Sequence, residues 1–311
     1  MSEQIVTVSL NPAINAILWM DTLSAEQENR VKRERMEPSG GALNVSRVLS
    51  GLQIPNLAVG AYGEDNGLQL MRLMDRFGIQ HEFVSCKGET KQDITMMLPK
   101  NTVIKTTRTG FQIGVSSLRQ IQQKIANYSE ENRENILVFS GEQPHGMAIS
   151  ELTRFIQNSC AGKARLVLNI PGFTIEELKT LHPFVTMIRI QELKAITRVN
   201  FRNETTMLRC MKSMTGELEH IIVNLGARGF LYTGKEESYR IIQPQNRMLH
   251  PENSDYFLAG FLCGLQRGLP LQETLMLAGG CAAWLTLGDE TAFSEAAASI
   301  GRQKIMLEKM L

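Results

Sequence analysis

The polar segment Glu252-Asn253-Ser254-Asp255 has the residue types that a phosphate-binding helix start with a nearby base would need. The apolar run Tyr256 to Leu262 follows at once, so a turn-favouring segment opens directly into a buried helix. We predict that Ser254 caps this helix, because a serine hydroxyl can accept a hydrogen bond from a first-turn N–H group. Such N–H groups attract a phosphate or a developing oxyanion, and Asp255 could take a proton from an attacking hydroxyl. The same spacing also fits a well-capped helix without catalytic function.

Two further turns contain small residues at positions where a backbone could approach a ligand. The segment Ser39-Gly40-Gly41-Ala42-Leu43-Asn44 opens another helix, and the Asn44 amide offers both a donor and an acceptor. It is not a P-loop, because no Gly-Lys-Ser/Thr follows, and an ordinary strand-to-helix turn explains it equally well. The segment Asn224-Leu225-Gly226-Ala227-Arg228-Gly229 ends a strand with two glycines, which suits either a nucleotide phosphate or a tight hairpin turn.

Strands and helices that alternate for most of the chain must position these turns. The apolar runs that indicate strands lie at residues 5–10, 57–61, 136–139, 166–168, 184–188 and 221–223. Turn residues and then a helical stretch follow most of these runs, which is typical of βαβ units on a mainly parallel sheet with helices on both faces. The sequence therefore predicts an α/β fold, with Asn11-Pro12 at the carboxyl edge of the first strand, where ligands bind in such sheets.

Two regions depart from this alternation. Residues 13–37 contain a strand-like run followed by a highly charged stretch, and residues 88–112 fit two short strands around Pro99-Lys100-Asn101. We predict that both insertions pair into a small β lid on one domain that spans residues 1–311, because no low-complexity linker divides the chain. From Asp255 onward, the spacing predicts three helices, over 255–267, 271–287 and 294–311.

The composition excludes several classes of protein. The 311 residues include 33 Lys and Arg against 32 Asp and Glu, which argues against a nucleic-acid partner and a polybasic membrane patch. The five cysteines show no C-x-x-C spacing, so we expect no disulfide framework or structural zinc, and a reducing cytoplasmic location. The start Met1-Ser2-Glu3-Gln4 does not look like a signal peptide. The run Leu275 to Gly288 is too short for a membrane span and predicts a buried helix.

Several motifs, taken in order, resemble one known family. They are Thr7-Val8-Ser9-Leu10-Asn11-Pro12-Ala13-Ile14 (compare T-x-T-L-N-P-A-I), the block Ser39 to Arg47 (G-G-K-G-x-N-V-x-R), Gly88-Glu89-Thr90-Lys91 (G-E-T-R), Ser140-Gly141-Glu142-Gln143-Pro144-His145-Gly146 (S-G-S-x-P-x-G), and Asp255 with Ala259-Gly260-Phe261 (G-A-G-D-x-x-x-A-G-F). The ordered set is similar to the ribokinase/PfkB carbohydrate kinases, and within them to the 1-phosphofructokinase and tagatose-6-phosphate kinase branch. The resemblance covers nearly the whole chain.

This resemblance implies a three-layer α/β/α ribokinase-like fold and an ATP-dependent kinase. The γ-phosphoryl group would pass to a hydroxyl of a sugar phosphate of the fructose 1-phosphate, fructose 6-phosphate or tagatose 6-phosphate type. Asp255 falls on the family's catalytic base, and the backbone of Asn253, Ser254 and Asp255 falls on its anion hole. Glu192 falls on the acidic end of the N-x-x-E motif, which is associated with Mg²⁺ and phosphate. The lid would build a homodimer.

The resemblance also assigns the remaining site residues. On the nucleotide side they are Asn224, Gly226, Gly229, Glu192 and Arg189. On the acceptor side they are Asn15, Gly40, Gly41, Asn44, Lys91, Arg108 and Ser140.

The chain departs from the family pattern at several phosphate-contact positions. Glu252 and Ser254 replace the two glycines before the base, and Gly41, Lys91 and Arg189 replace a lysine, an arginine and an asparagine. These changes support an alternative, a non-catalytic regulator that binds a nucleotide or a sugar phosphate. The retained Asp255 favours the kinase. A dinucleotide-binding dehydrogenase does not fit, because no G-x-G-x-x-G follows the first strand.

Overall fold

The computed structural model describes residues 4–100, 102–129, 135–160, 164–216, 218–243, 252–286 and 293–310. The strands in these residues are β1 (Gln4–Ser9), β2 (Ala13–Met20), β3 (Val31–Ser39), β4 (Asn56–Gly63), β5 (His81–Cys86), β6 (Lys91–Leu98), β7 (Thr102–Thr106), β8 (Asn135–Ser140), β9 (Arg165–Asn169), β10 (Val185–Arg189), β11 (His220–Asn224), β12 (Phe230–Thr233), β13 (Ser238–Ile242) and β14 (Met306–Lys309). The helices are α1 (Gly41–Gly51), α2 (Gly67–Arg76), α3 (Val115–Ser129), α4 (Ile149–Ser159), α5 (Ile175–Leu181), α6 (Ile190–Thr197), α7 (Glu204–Met214), α8 (Asn253–Gln266), α9 (Leu271–Thr286) and α10 (Glu295–Arg302).

The large sheet has the strand order β14-β13-β12-β11-β10-β9-β8-β1-β4-β5. The seven strands from β11 to β5 in this order run parallel to one another, and β12, β13 and β14 are joined antiparallel at one edge. Apolar side chains of α1, α8, α9 and α10 pack on one face, and those of α3 to α7 pack on the other. The predicted α/β/α layering and mainly parallel sheet are therefore confirmed.

The strands of the two insertions form a separate four-stranded sheet with the order β3-β2-β6-β7, which we refer to as the lid. Its central strands β2 and β6 pair in parallel, with Ala13 opposite Lys91 and Asn15 opposite Asp93. The turn between β6 and β7 contains Lys100 in the left-handed region, at φ 59°, and Asn101 of the predicted turn lies outside the described residues. β2 begins four residues after β1 ends, and β6 begins five residues after β5 ends, so both lid segments start from the carboxyl ends of main-sheet strands.

The end of the chain corrects one prediction. The spacing over 294–311 predicts a helix, but α10 ends at Arg302 and Met306–Lys309 form β14. The strand pairs antiparallel with β13, where Leu307 lies opposite Ile241. Pairing at the sheet edge satisfies the backbone groups of the segment, and this tertiary contact outweighs a local helical pattern.

The apolar helices α8, α9 and α10 pack against one another. The described part of the predicted 271–287 helix is α9, whose central residues are buried against α8 and α10. No helix in the described residues is long and apolar enough to cross a bilayer. All five cysteines are free thiols.

Candidate active site

Asp255 lies in the first turn of α8 and is 8% exposed. Its Oδ1 accepts hydrogen bonds from Ser140 Oγ at 2.8 Å and from Asn169 Nδ2 at 3.1 Å. Its Oδ2 accepts one from Asn44 Nδ2 at 2.9 Å. The ends of β8 and β9 supply the first two donors and the first turn of α1 supplies the third, so three elements fix this carboxylate at the carboxyl edge of the sheet.

Burial raises the pKa of Asp255 above the usual value for an aspartate, while the hydrogen bonds from Asn44 and Ser140 act in the opposite direction. The nearby carboxylate of Glu252 raises the pKa further. A raised pKa makes the ionised carboxylate a better proton acceptor. Because Oδ2 accepts only the hydrogen bond from Asn44 in the described residues, it keeps a lone pair for a hydroxyl of a ligand.

The start of α8 differs from the prediction. Glu252, and not Ser254, occupies the N-cap position, and its carbonyl accepts the N–H groups of Asp255 at 3.0 Å and Tyr256 at 3.2 Å. Ser254 lies inside the first turn, where its hydroxyl accepts a hydrogen bond from Asn224 Nδ2 at 2.7 Å. The prediction of a Ser254 cap was wrong because the helix begins before Ser254, which instead ties α8 to the end of β11.

The Glu252 side chain points toward a cluster of cations. Its Oε1 accepts a hydrogen bond from Ser39 Oγ at 3.1 Å and lies 3.7 Å from Lys105 Nζ. Its Oε2 lies 3.0 Å from Arg47 Nη2. Glu252 is only 3% exposed, so these partners balance its charge inside the protein. The acid that replaces a family glycine is therefore neutralised rather than presented bare to a phosphate.

Arg47 joins α1, α8 and the lid. Its Nη1 lies 2.9 Å from Glu37 Oε2 on β3, and its Nη2 donates to the Tyr256 hydroxyl at 3.1 Å in addition to Glu252. Burial disfavours the charged guanidinium, but the carboxylate of Glu37 and its neighbours outweigh this and raise the pKa of Arg47. The side chain is therefore a permanent cation between two buried carboxylates.

The lid contributes a second group of charges. Lys91 Nζ lies 2.8 Å from Glu142 Oε2 and 3.8 Å from Asp93 Oδ2, and Lys105 Nζ lies 4.0 Å from the same Asp93 oxygen. Burial raises the pKa of Asp93, against the effect of Lys91. Burial also disfavours the Glu142 carboxylate, but its hydrogen bond from Lys91 prevails and lowers the pKa of Glu142.

These groups surround one cavity of about 280 Å³ between the lid and the sheet. It is lined by Asn11, Ser39, Gly40, Gly41, Asn44, Lys91, Asp93, Lys105, Thr107, Gly141, Glu142, Asn169, Arg189, Glu252, Ser254 and Asp255. Gly41 needs to be a glycine here, because a Cβ would meet the backbone N of Gly141 at 2.4 Å. The described residues hold no cluster of three or more His, Cys, Asp or Glu arranged as a metal site.

Most of the residues assigned by the resemblance to the acceptor side meet at this cavity. Gly40, Gly41, Asn44 and Lys91 line it together with Arg189, and Ser140 bonds to the Asp255 carboxylate. Two others do not line it. Asn15 is buried in the lid, where its Oδ1 accepts from Thr95 at 3.0 Å. Arg108 is exposed, and its backbone N–H donates to Asp93 at 3.3 Å.

The residues assigned to the nucleotide side are more dispersed. Glu192 faces a different cavity, and its Oε2 accepts the backbone N–H of Arg189 at 3.0 Å at the start of α6. Gly226 and Gly229 form the turn of an antiparallel hairpin between β11 and β12, which was one of the two interpretations of this segment. Gly229 has φ 93°, and a Cβ there would meet Ile241 O at 2.0 Å, so the hairpin itself requires this glycine.

Sequence reasoning missed several residues that the structure places at the site, among them Ser39, Arg47, Asn169 and Lys105. Ser39 and Arg47 lie within the Ser39 to Arg47 block, but their partner Glu252 is too far away in sequence to suggest the ion pair. Asn169 is the last residue of a buried strand. Because ligands bind at the carboxyl ends of strands in such sheets, this position in the sequence could have indicated it. Lys105 stands on a short strand whose pairing with Thr95 only the structure reveals.

Known proteins are similar in sequence to this chain over most of its length. The 1-phosphofructokinase of Bacillus subtilis (strain 168) is 26% identical over 297 residues, covering 94% of this chain and 93% of the relative. A tagatose-6-phosphate kinase of Staphylococcus epidermidis is 25% identical and covers 84% of this chain and 85% of its own length.

Solved structures agree on the fold. Phosphofructokinase-2 from Escherichia coli in complex with fructose-6-phosphate superimposes with a TM-score of 0.86 at 19% identity, over 97% of this chain and 99% of that one. A possible 1-phosphofructokinase from Thermotoga maritima gives a TM-score of 0.85 at 18% identity, over 99% of this chain and 100% of that one.

The model of one protein family, described as the pfkB family carbohydrate kinases, matches residues 8–297. This span runs from β1 to α10 and includes the lid, the buried carboxylate of Asp255 and the cavity around it. The family transfers phosphoryl groups to alcohol acceptors and uses ATP as the donor. On this match, and on the fold that its structural neighbours share, the chain belongs to the pfkB family of carbohydrate kinases.

Proposed function

We propose that the protein is an ATP-dependent kinase that phosphorylates a hydroxyl of a sugar phosphate, with Asp255 as the catalytic base. The observation that carries the proposal is the Asp255 carboxylate, held by Asn44, Ser140 and Asn169 at the start of a helix. It lies next to a cavity whose lining includes Lys91, Lys105 and Arg189. The relatives that bear the names 1-phosphofructokinase and tagatose-6-phosphate kinase support a phosphorylated acceptor.

In the proposed reaction, the acceptor hydroxyl donates a hydrogen bond to Oδ2 of Asp255. The hydroxyl oxygen attacks the γ-phosphorus of ATP, the bond from that phosphorus to the bridging oxygen breaks, and the hydroxyl proton passes to Asp255. Burial of Asp255 makes this transfer easier, because it raises the affinity of the carboxylate for a proton. Ser140 and Asn169 occupy Oδ1, so they orient the group without blocking Oδ2.

The start of α8 would stabilise the charge of the transferring phosphoryl group. First-turn N–H groups of a helix have no intrahelical acceptor, and those of Asn253 and Ser254 lie at this position. The helix dipole adds a partial positive charge at the same end. Asn224 bonds to Ser254 and so fixes this first turn against the hairpin that we propose lies near the nucleotide.

Lys91 is our proposed anchor for the phosphate of the acceptor. Its ammonium group is 2.8 Å from Glu142 in the structure, so an incoming phosphate must replace this carboxylate. The Glu142 side chain is 58% exposed, and it can therefore turn into solvent without leaving a buried charge behind. Lys105 and Arg189, on other walls of the cavity, would add positive charge for the nucleotide phosphates.

We also propose that Mg²⁺ accompanies ATP. Mg²⁺ in such sites is held through the nucleotide phosphates and one or two carboxylates, which agrees with the absence of a three-acid cluster in the described residues. Glu192 keeps a partly exposed carboxylate at the start of α6 and could hold the ion through water. The ion would neutralise charge on the β- and γ-phosphates.

A panel of fructose 1-phosphate, fructose 6-phosphate, tagatose 6-phosphate and the corresponding free sugars, with ATP and Mg²⁺, tests the proposed function. Release of ADP with at least one phosphorylated acceptor is expected. The Asp255→Asn variant should lose at least ~100-fold in kcat while it still binds ATP, because a general base of this kind contributes about 10²–10⁴-fold. Asp75→Asn, at a residue whose side chain is 72% exposed on α2, is the matched control and should keep full activity. Full activity of Asp255→Asn would refute the assignment of the base.

We propose that a second copy of the chain packs on the lid. Leu18, Met96 and Ile104 form one cross-strand row of half-buried apolar side chains on β2, β6 and β7. Light scattering of the purified protein should give twice the mass of one chain, and Met96→Glu should reduce it to one chain. A monomeric unmodified protein would refute this part of the proposal.

A further inference from the structure

A second cavity shares no lining residue with the 280 Å³ cavity beside Asp255, which we call the acceptor cavity. Its volume is about 420 Å³, within the range of about 300–1,000 Å³ that small-molecule sites occupy. Strand β3, helices α1, α8 and α9, and the end of α2 contribute its walls. Asp255 and Lys91 do not line it, so it is distinct from the site proposed for phosphoryl transfer.

The walls carry an excess of positive charge. Arg35, Arg47 and Arg76 line the cavity together with one acid, Glu37. Glu37 lies 3.2 Å from Arg35 and 2.9 Å from Arg47, so one carboxylate is shared by two guanidinium groups. Arg76 ends α2 in an exposed position at the rim. An anion that enters the cavity would therefore meet a favourable field.

Two buried donors at this cavity lack acceptors. Within the residues that the structure describes, Nε of Arg47 and the indole Nε1 of Trp284 have no hydrogen-bond partner. Both residues line the cavity, and they are 6% and 4% exposed. Buried N–H donors are nearly always hydrogen-bonded in folded proteins, so two such donors at one cavity indicate a place for the oxygen atoms of a ligand.

Aromatic rings form the remaining wall. Tyr256 and Trp284 are stacked, with ring centroids 6.2 Å apart and planes inclined by 16°. The Arg47 guanidinium carbon lies 5.8 Å from the ring centroids of both Phe77 and Tyr256. Flat rings of this kind suit a planar group, which can stack against them and against a guanidinium plane.

We propose that this cavity binds an organic phosphate that carries a planar ring, of the nucleoside monophosphate class. The phosphate pairs with the guanidinium groups of Arg35 and Arg76 near the rim. The ring packs on the wall formed by Tyr256 and Trp284, and ligand oxygens accept from Arg47 Nε and Trp284 Nε1. Since Arg47 also bonds to Glu252, the ligand would contact the residue that ties the start of α8 to the lid.

The two tryptophans of the chain, Trp19 and Trp284, allow a direct test. In a Trp19→Phe protein, all indole fluorescence comes from Trp284 in the cavity wall. Titration with AMP should change this fluorescence and give a dissociation constant at least tenfold lower than that of adenosine or inorganic phosphate. Adenosine probes the ring alone and phosphate probes the charge alone, so equal binding of AMP and either fragment would overturn the proposal.

Two variants in the Trp19→Phe background distinguish the two cavities. Arg76→Ala should weaken AMP binding by about tenfold, as expected for loss of one charged hydrogen bond, and thermal melting checks that the protein stays folded. Lys105 lines the acceptor cavity and not this one, so Lys105→Met should leave the Trp284 response unchanged. The proposal is overturned if Trp284 does not respond to AMP, if Arg76→Ala binds AMP as well as its parent, or if Lys105→Met alone abolishes the response.

Discussion

Replacing Arg47 with methionine should strongly destabilise the protein, because it leaves two carboxylates without their common cation. Glu37 and Glu252 are 5% and 4% exposed at their side chains and lie 2.9 and 3.0 Å from the guanidinium. Removal of one partner from a buried ion pair costs about 3–5 kcal/mol, because the remaining charge stays desolvated. We therefore expect Arg47→Met to lower the free energy of unfolding by about 3–5 kcal/mol. Urea unfolding, with the slope held common to all variants, measures this loss.

A double variant separates the effect of stranded charge from that of lost packing. In Arg47→Met/Glu252→Gln, the Glu252 charge is gone and Glu37 still pairs with Arg35 at 3.2 Å. The double variant should therefore be about 1–3 kcal/mol more stable than Arg47→Met, the usual cost of one buried group left unsatisfied. The matched control is Lys32→Met. It breaks an ion pair to Asp21 whose side chains are 65% and 64% exposed, and should cost less than ~1 kcal/mol.

Additive losses of unfolding free energy from Arg47→Met and Glu252→Gln would refute this prediction. If Glu252→Gln destabilises the Arg47→Met background as much as it destabilises the unmodified protein, the two side chains are not coupled. The charge cluster would then contribute only packing, and the neutralisation of Glu252 that we describe would have no energetic role.

Three other expectations follow from the site and the backbone. Ser140→Ala removes a hydrogen bond that lowers the pKa of Asp255, so the pKa of Asp255 should rise in this variant. Because activity needs the ionised carboxylate, the acidic limb of the plot of kcat/KM against pH should move to higher pH. A limb that does not move would argue against Asp255 as the titrating base. Lys91→Met should raise the KM of a phosphorylated acceptor at least ~10-fold, measured by steady-state kinetics, while the KM of ATP stays constant. Gly229→Ala should lower the free energy of unfolding by about 2–4 kcal/mol, because φ at this residue is 93° and a Cβ would meet a carbonyl oxygen at 2.0 Å. The control is Gly268→Ala, where φ is 63° but nothing lies within 4 Å of the added Cβ, and it should cost about 1–2 kcal/mol. Equal losses in the two variants would exclude a contribution from the clash.

The fold class could be predicted from the sequence because parallel strands buried on both faces leave continuous apolar runs. The run over 136–139 is part of β8, in which every residue is buried, and the runs over 57–61 and 221–223 fall in β4 and β11. The C-terminal strand could not be predicted in this way. Leu307 needs Ile241 as its partner, and nothing in the spacing of residues 294–311 indicates that pairing.

Part of the site could also be predicted, where the local sequence alone indicates the position of a residue. Asp255 and Asn44 each lie in the first turn of a helix, and the local sequence shows this directly. The carbonyl that begins α8 belongs to Glu252, two residues before the serine that local preference favours, because the capping geometry depends on the chain path and not on residue type. The partners of Glu252 come from α1 and the lid, so no local pattern reveals that its charge is balanced.

The separation of the paired residues along the chain has a consequence for synthesis. Arg47 and Glu252 are 205 positions apart, and Asn44 and Asp255 are 211 apart. At about 5–20 residues per second, the ribosome needs roughly 10–40 s to cover that interval. During this time the lid strands and α1 have left the ribosome, while Arg47 still lacks Glu252. A chain that stops before residue 252 keeps the lid and the parallel strands but has neither the base nor the partner charge. The active site is therefore completed only when residues 252–255 have been synthesised, after the whole lid and all the parallel strands.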